Sequence, residues 1–191
     1  MAIDPIASAQ DALLAWLGAE VDLGLDEAQG ALKVLRGWPE HNEDFDLATG
    51  PVLSTTVPAQ ADEVRIHPLE VARVVADGEV VVTYRTANLQ FVVQLDLWCA
   101  YRAALDVAAE AVAIALDNQV PSSSGLWLTQ AEYFGRPLSF EVTGYRRQDD
   151  ADSAAVGEWR ATWLLRCTTD RVVVRTYTAA STPPAVSLST T

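Results

Sequence analysis

The histidines and the carboxylates beside them are the side chains of this sequence with the widest choice of chemistry. His41 lies in the acidic segment PEHNEDFD, and His67 lies in RIHPLE. A histidine among carboxylates can serve as a general base or a metal ligand, which would suit a metal-dependent hydrolase. The alternative for His41 is a solvated acidic loop with no catalytic role.

Two aspartates of the same segment have the spacing with which a calcium-binding loop begins. A loop that starts at Asp44 and continues through Asp46 needs glycine at its sixth position and an acidic side chain at its twelfth. Thr49 and Thr55 occupy those two positions. The sequence therefore disfavours an EF-hand, although the acidic loop at 40–46 still offers oxygen ligands to a cation.

A second acidic cluster lies in QDDADSAAVGE, where Asp149, Asp150 and Asp152 either hold a cation or solubilise a hairpin tip. The chain has no GxSxG, GxGxxG or P-loop motif, so neither a nucleophile elbow nor a nucleotide-binding loop is indicated. We predict no catalytic residue, no metal site and no cofactor, and hence no enzyme.

The charge distribution excludes several partners. The net charge of the 191 residues is -13, and residues 1–100 carry 16 acidic and 5 basic side chains. Such a chain repels nucleic acid and anionic membranes. A stacking platform for bases needs a basic groove, so we expect the aromatic side chains to pack in a core or an interface instead; the tryptophans concerned are Trp98, Trp127, Trp159 and Trp163.

Cys99 and Cys167 lie in apolar, strand-like segments outside any CxxC motif. We expect two buried free thiols, and a disulfide is the alternative.

The N-terminus lacks the basic and apolar regions of a signal peptide, and no apolar run is long enough to span a membrane. We expect a soluble protein that is made in the cytoplasm.

The first half of the chain alternates between regular and irregular segments. Asp4 and Pro5 form an N-cap signal for a helix over residues 5–17, which Gly18 is expected to end. A strand is predicted in ALKVLRGW, followed by a long excursion at about 37–76.

Two further local signals lie in or beside this excursion. Residues 52–57 could form a short strand. The Asp77-Gly78 turn signal predicts a hairpin after the apolar segment 69–75.

The segment QFVVQLDLWCAYRAALDVAAEAVAIALDN, residues 90–118, changes its apolar period from 2 to 3.6 near Tyr101. This change predicts a strand that runs directly into a helix. The helix has two apolar stripes and only a narrow polar stripe, so one apolar stripe must cover the sheet. The other stripe needs a further cover, which is either the first helix of this chain or another subunit. The second apolar stripe consists of Ala104, Val107, Ala111 and Ile114.

Four further strands are predicted at 126–129, 138–146, 159–168 and 171–179, with a turn at Thr169-Asp170 between the last two. The order of elements predicts an α+β fold with a mostly antiparallel sheet, one long covering helix and an N-terminal helix. We expect a single domain over 1–180 and a flexible C-terminal arm over 181–191.

The stretch VVQLDLWCAYRAALDVAAEAVAIALDN resembles the central strand and helix of phage tail-terminator and related tail-completion proteins, in which a "Val-x-Leu-Asp-Val-Trp-Ala" strand leads into an alanine-rich helix. The N-terminal helix, the proline-rich excursion and the closing strands extend this resemblance over residues 3–178 in order and character. The match is sharpest over residues 92–117.

The resemblance implies a structural virion protein of the tail or neck, assembled in the host cytoplasm. Such a subunit forms a ring, typically a hexamer, that caps the tail tube and joins it to neck or head proteins, while DNA passes through the lumen without specific binding and no membrane is contacted. The subunit interface would include Trp98, Val107, Ala111, Ile114 and Trp163. The rival interpretation is a monomeric or dimeric module that binds a ligand or peptide.

Overall fold

In the computed structural model of the chain, the described residues are 5–21, 32–38, 45–58, 61–76, 78–117, 120–121, 127–128, 132–133, 136–148 and 158–178. Several predicted features therefore lie outside the described residues: the Asp4 cap, the acidic segment with His41 and Asp44, the tip with Asp149, Asp150 and Asp152, and the arm 181–191.

Two α-helices, one short 3-10 helix (Leu47–Thr49) and ten strands make up the regular structure of the described residues. Helix α1 spans Pro5–Glu20 and helix α2 spans Arg102–Asp117. The strands are β1 (Lys33–Arg36), β2 (Val52–Thr56), β3 (Asp62–Ala76), β4 (Glu79–Cys99), β5 (Val120–Pro121), β6 (Trp127–Leu128), β7 (Glu132–Tyr133), β8 (Arg136–Pro137), β9 (Ser139–Gln148) and β10 (Trp159–Thr178).

The main sheet has six strands in the order β1-β2-β4-β10-β9, with β3 paired to β4. Strands β1 and β2 are parallel, whereas β2 with β4 and β9 with β10 are antiparallel. Strands β5 and β6 form one small separate sheet, and β7 and β8 form another. The α+β prediction is therefore confirmed, with a mixed sheet that is mostly antiparallel.

The chain divides into two compact units. The first comprises Met1–Asp62 and Leu89–Thr169, and the second comprises Glu63–Asn88 and Asp170–Thr191. The first unit contains both helices and the core that they cover, whereas the second is built from β3, the first half of β4 and the last part of β10.

The core of the first unit lies between the sheet and the two helices. Alternate side chains of β4, from Phe91 to Cys99, are at most 3% exposed on this face, as the period-2 pattern predicted. Leu13 and Leu17 of α1 and Leu105 of α2 pack in the same cluster. The amphipathic pattern of each helix thus determines which of its stripes faces the sheet.

Helix α1 is longer than predicted. It continues through Gly18 to Glu20, and the Val21 amide donates a hydrogen bond to the Leu17 carbonyl at 2.9 Å. Glycine weakens a helix but does not forbid one, and the residues that follow Gly18 are good helix formers. Val34 of β1 lies beside Gly18, so the predicted stop is instead a point of close packing.

The predicted turn at Thr169-Asp170 is wrong, because β10 continues through these residues without interruption. Thr169 is buried, and Asp170 Oδ1 forms an ion pair with Arg85 Nε of β4 at 3.1 Å. These tertiary interactions override a weak local turn signal.

The range 37–76, where the sequence suggested an excursion, contains β2 and all of β3. The prediction of a short strand near 52–57 is confirmed as β2. The predicted hairpin also forms, since β3 pairs with β4 across a short connection in which Gly78 has a φ of 79°.

Both cysteines are buried and free, as predicted. Burial raises the pKa of the Cys99 thiol and of the Cys167 thiol from 9.0 to about 12.

Among the helices of the described residues, none is both long and apolar enough to cross a membrane.

Gly18→Ala is expected to stabilise the protein by roughly 0.5–1 kcal/mol, because alanine favours the helix interior and loses less backbone entropy on folding. The new Cβ would meet Val34 Cγ1 at 3.5 Å, an ordinary contact. Gly78→Ala is the control and should destabilise, because its φ of 79° is strained for alanine. Urea unfolding of both variants checks the opposite signs, and a destabilised Gly18→Ala would contradict this packing.

The thiols should make stability fall at high pH. In the unfolded chain they ionise near 9.0, whereas in the folded chain they stay protonated up to about 12. The folded state therefore binds more protons in this window, and the free energy of unfolding should fall as pH rises through it, by about 1.4 kcal/mol per pH unit for each thiol. Denaturant unfolding at several pH values in this window measures the free energy of unfolding. It should fall less steeply with pH for Cys167→Ala than for wild type, and equal slopes would contradict a raised pKa for the Cys167 thiol.

Candidate functional site

Helix α2 has one stripe inside the core and a second stripe at the surface. The stripe that faces the sheet is buried throughout and consists of Leu105, Ala108, Ala109, Val112, Ala115 and Leu116. On the second stripe, Val107 is 46% exposed and Ile114 is 56% exposed. Ala104 and Ala111 lie beside them and are partly buried against the core.

Helix α1 was one of the two covers predicted for this second stripe. It contacts α2, but Val107 and Ile114 stay exposed in its presence. Exposed branched side chains on one helical face, separated by small alanines, form a surface into which another helix or sheet can pack closely. We call Ala104, Val107, Ala111 and Ile114 the α2 apolar stripe.

The polar stripe of α2 is exposed, as its composition predicted. It consists of Arg102, Asp106, Glu110 and Asp117. Asp106 accepts a hydrogen bond from the guanidinium of Arg147 on β9. This ion pair connects the helix to the strand at one end of the sheet order. The α2 apolar stripe lies on a different side of the helix.

The five residues predicted for a subunit interface separate into two groups. Val107, Ala111 and Ile114 lie together on the α2 apolar stripe. Trp98 and Trp163 are only 9% and 3% exposed, and each packs inside this chain. Trp163 belongs to the helix-covered core, where its ring lies 5.2 Å from that of Tyr145.

The other face of the sheet carries a buried carboxylate. Asp96 of β4 is 0% exposed, and its two oxygens are occupied by neighbouring side chains. Gln94 Nε2 donates to Asp96 Oδ2 at 2.8 Å, and Thr162 Oγ1 of β10 donates to Asp96 Oδ1 at 2.5 Å. Arg160 Nε lies 3.9 Å from Oδ1, so the negative charge has a cation beside it.

Aromatic rings enclose this polar cluster. The Arg160 guanidinium carbon lies 4.9 Å from the centre of the Trp98 ring and 5.9 Å from that of Trp38, which are cation–π distances. Trp98 Nε1 donates to Ser54 Oγ at 3.1 Å. The Trp98 ring also meets Trp38 and Phe45 edge-on, with centroids 6.1 and 5.8 Å away.

The Asp96 cluster supports structure rather than catalysis. Its carboxylate is fully buried and each oxygen accepts a hydrogen bond from a neighbouring side chain, so it is not within reach of a substrate's proton. This cluster was not predicted from the sequence, because Arg160 and Asp96 are far apart along the chain. The alternation of Gln94, Asp96 and Trp98 on one strand face was the available signal, but only strand pairing brings Arg160 and Thr162 to it.

The described part of the acidic segment also has a structural use. Asp46 caps the short 3-10 helix Leu47–Thr49, and its Oδ1 accepts a hydrogen bond from the Ala48 amide at 2.9 Å. His67 is exposed on β3. Within the described residues, no group of three or more histidine, cysteine or acidic side chains is placed to hold a metal ion.

No protein-family model and no curated protein sequence matches this chain. Among solved structures, it is similar to a chain of the virion of a native gene transfer agent particle. That alignment covers 89% of this chain and 100% of the other, at 18% sequence identity and a TM-score of 0.37. At that score the two backbones differ too much for the match to assign a fold or a function.

Asp96→Ala is expected to destabilise the protein by about 3–5 kcal/mol, because it leaves the Arg160 charge and the Thr162 hydroxyl without their buried partner. Glu141→Ala is the control, since its pair with Arg166 has side chains 68% and 51% exposed, and exposed pairs contribute less than about 1 kcal/mol. Denaturant unfolding measures both. Equal, small losses would contradict a structural role for the Asp96 cluster.

Proposed function

We propose that this chain is a structural virion protein of the tail-terminator type: a subunit of a ring, most simply a hexamer, that caps a phage tail tube and joins it to the neck or head. The observation that carries the proposal is the α2 apolar stripe. The resemblance of residues 92–117 to the central strand and helix of those proteins supports it, because the stripe lies on that helix.

A single copy of the chain leaves apolar side chains of α2 exposed to water. Val107 and Ile114 are about half exposed, and fully burying such a side chain contributes roughly 1.5–3 kcal/mol. A ring repeats the same contact at every interface, so a modest gain per contact stabilises the whole closed assembly. A second copy of this chain is therefore the occupant that we assign to the α2 apolar stripe.

The ends of the sheet offer a second means of contact. Strands β1 and β9 are the terminal members of the order β1-β2-β4-β10-β9. A terminal strand presents one row of backbone donors and acceptors, which can pair with a neighbouring subunit. Strand β9 also carries Tyr145, which is 54% exposed, toward solvent. We propose that ring neighbours meet through α2 and one of these edges.

The charge of the chain suits a conduit for DNA. With a net charge of -13, a ring of such subunits repels the phosphate backbone, so DNA could pass through the lumen without being held. Tail-tube and neck proteins are the partners in this proposal, the virion is the location after assembly in the host cytoplasm, and no catalytic step is involved.

Ile114→Lys is expected to reduce assembly of the purified protein by at least tenfold in dissociation constant, because it puts a charge in the apolar contact. Asp117→Lys is the control, since it places the same side chain on the exposed polar stripe of the same helix. Mass photometry and light scattering over a concentration series measure the assembly. Circular dichroism confirms that both variants stay folded.

Wild type and Asp117→Lys should form the same ring-sized species, while Ile114→Lys should shift to the monomer. A wild type that stays monomeric at high concentration, alone and with tail proteins, would overturn the ring and favour the ligand- or peptide-binding module. Equal assembly by Ile114→Lys and Asp117→Lys would overturn the α2 apolar stripe as the interface.

A further inference from the structure

The second compact unit has a groove on one face of its strands. It has a volume of about 250 Å³ and is lined by Pro68, Tyr84, Thr86, Val173, Arg175 and Tyr177. We call these residues the tyrosine groove. Pro68 comes from β3, Tyr84 and Thr86 from β4, and the other three from β10. The groove is smaller than the roughly 300–1,000 Å³ of a typical small-molecule pocket.

The two tyrosines have a defined arrangement. A hydrogen bond between their side chains, together with burial, raises the pKa of the Tyr84 hydroxyl. This bond links a side chain of β4 to a side chain of β10. The Thr86 hydroxyl is likewise held, because it donates to the Arg171 carbonyl at 3.3 Å. Three of the six residues that line the tyrosine groove therefore have side-chain partners within this chain.

Aromatic walls with a nearby arginine match one recurrent binding chemistry. Proline-rich segments dock in aromatic-lined grooves, because the polyproline II helix is preformed and leaves its carbonyl oxygens free to accept hydrogen bonds. Tyrosine faces pack against the proline rings, and the Arg175 guanidinium offers up to five N–H donors for those carbonyls.

We propose that the tyrosine groove binds the segment Thr182–Val186 of the same chain, with sequence TPPAV. Strand β10 ends at Thr178, directly after the groove residue Tyr177. Ala179–Ser181 then connect the strand to the segment, and three residues can span up to about 10 Å, which is enough to reverse the chain. The segment thus starts beside its binding site.

The segment and the groove also agree in length. Val173, Arg175 and Tyr177 alternate along one face of β10 over roughly 13 Å, at about 3.3 Å per residue. Thr182–Val186 in a polyproline II conformation extends over roughly 12 Å, at about 3.1 Å per residue. A tether of three residues gives this segment an effective concentration in the millimolar range. The segment of the same chain therefore reaches the groove before that of a neighbour, and the contact does not depend on ring assembly.

The test uses disulfide trapping in the full chain. Thr86→Cys with Ala185→Cys places one thiol in the tyrosine groove and one on the segment. Thr83→Cys with Ala185→Cys is the control, because Thr83 lies on the opposite face of β4 at nearly the same distance along the chain. Cys99 and Cys167 are buried, with their thiol pKa raised to about 12, so they react slowly at neutral pH.

The Thr86 pair should oxidise to an intrachain disulfide at least tenfold faster than the Thr83 pair, as measured by quenched time points and mass spectrometry. Adding Pro183→Gly and Pro184→Gly should bring the Thr86 pair close to the control rate. Equal rates for the two faces, no disulfide in either pair, or no effect of the glycines would overturn the proposal. Disulfide-linked dimers in place of intrachain products would overturn binding by the same chain and assign the groove to a neighbour's segment.

Discussion

Strand β4 is the constraint on which the rest of the first unit depends. Its side chains alternate between two interiors of different character, since Phe91, Val93 and Leu95 enter the helix-covered core while Asp96 and Trp98 enter the polar cluster. A shift of one residue in register would exchange these two sets. The register of β2 and β4, in which Ser54 pairs with Asp96, therefore fixes which side chains of β4 face the helices and which enter the polar cluster.

The orientation of helix α2 depends on strand β4. It follows β4 after a two-residue connection, so its buried stripe must face the sheet that β4 has organised. Leu105 and Leu116 are almost completely buried there, which leaves Val107 and Ile114 on a side that this chain does not cover. The remaining apolar surface is thus a consequence of how the strand and the helix are joined, and it is the basis of the proposed contact between subunits.

Much of this could be predicted from local sequence pattern. The change of period near Tyr101 predicted the second half of β4 and helix α2. One stripe of α2 proved to be buried, and the other is exposed at Val107 and Ile114. The two wrong predictions, a helix end at Gly18 and a turn at Thr169-Asp170, both relied on weak local signals. Gly18 and Thr169-Asp170 are weak breakers, and packing against Val34 and the pair between Asp170 and Arg85 overrule them.

The features that could not be predicted from the sequence depend on contacts between residues far apart along the chain. Arg160 and Asp96 meet only because β4 and β10 are neighbours in the sheet. The tyrosine groove likewise draws on three strands that are distant along the chain, and single-sequence patterns do not report which strands pair. Trp98 and Trp163 are 9% and 3% exposed in a single copy of the chain, and their place in a subunit interface stays a prediction.

The central claim is that copies of this chain close into a ring. Negative-stain electron microscopy of the purified protein tests it most directly, because a closed ring of subunits is visible as a particle with a central hole. The account predicts ring-shaped particles of uniform diameter with rotational symmetry. A field of small compact particles of monomer or dimer size, at concentrations well above those of the cell, would contradict it.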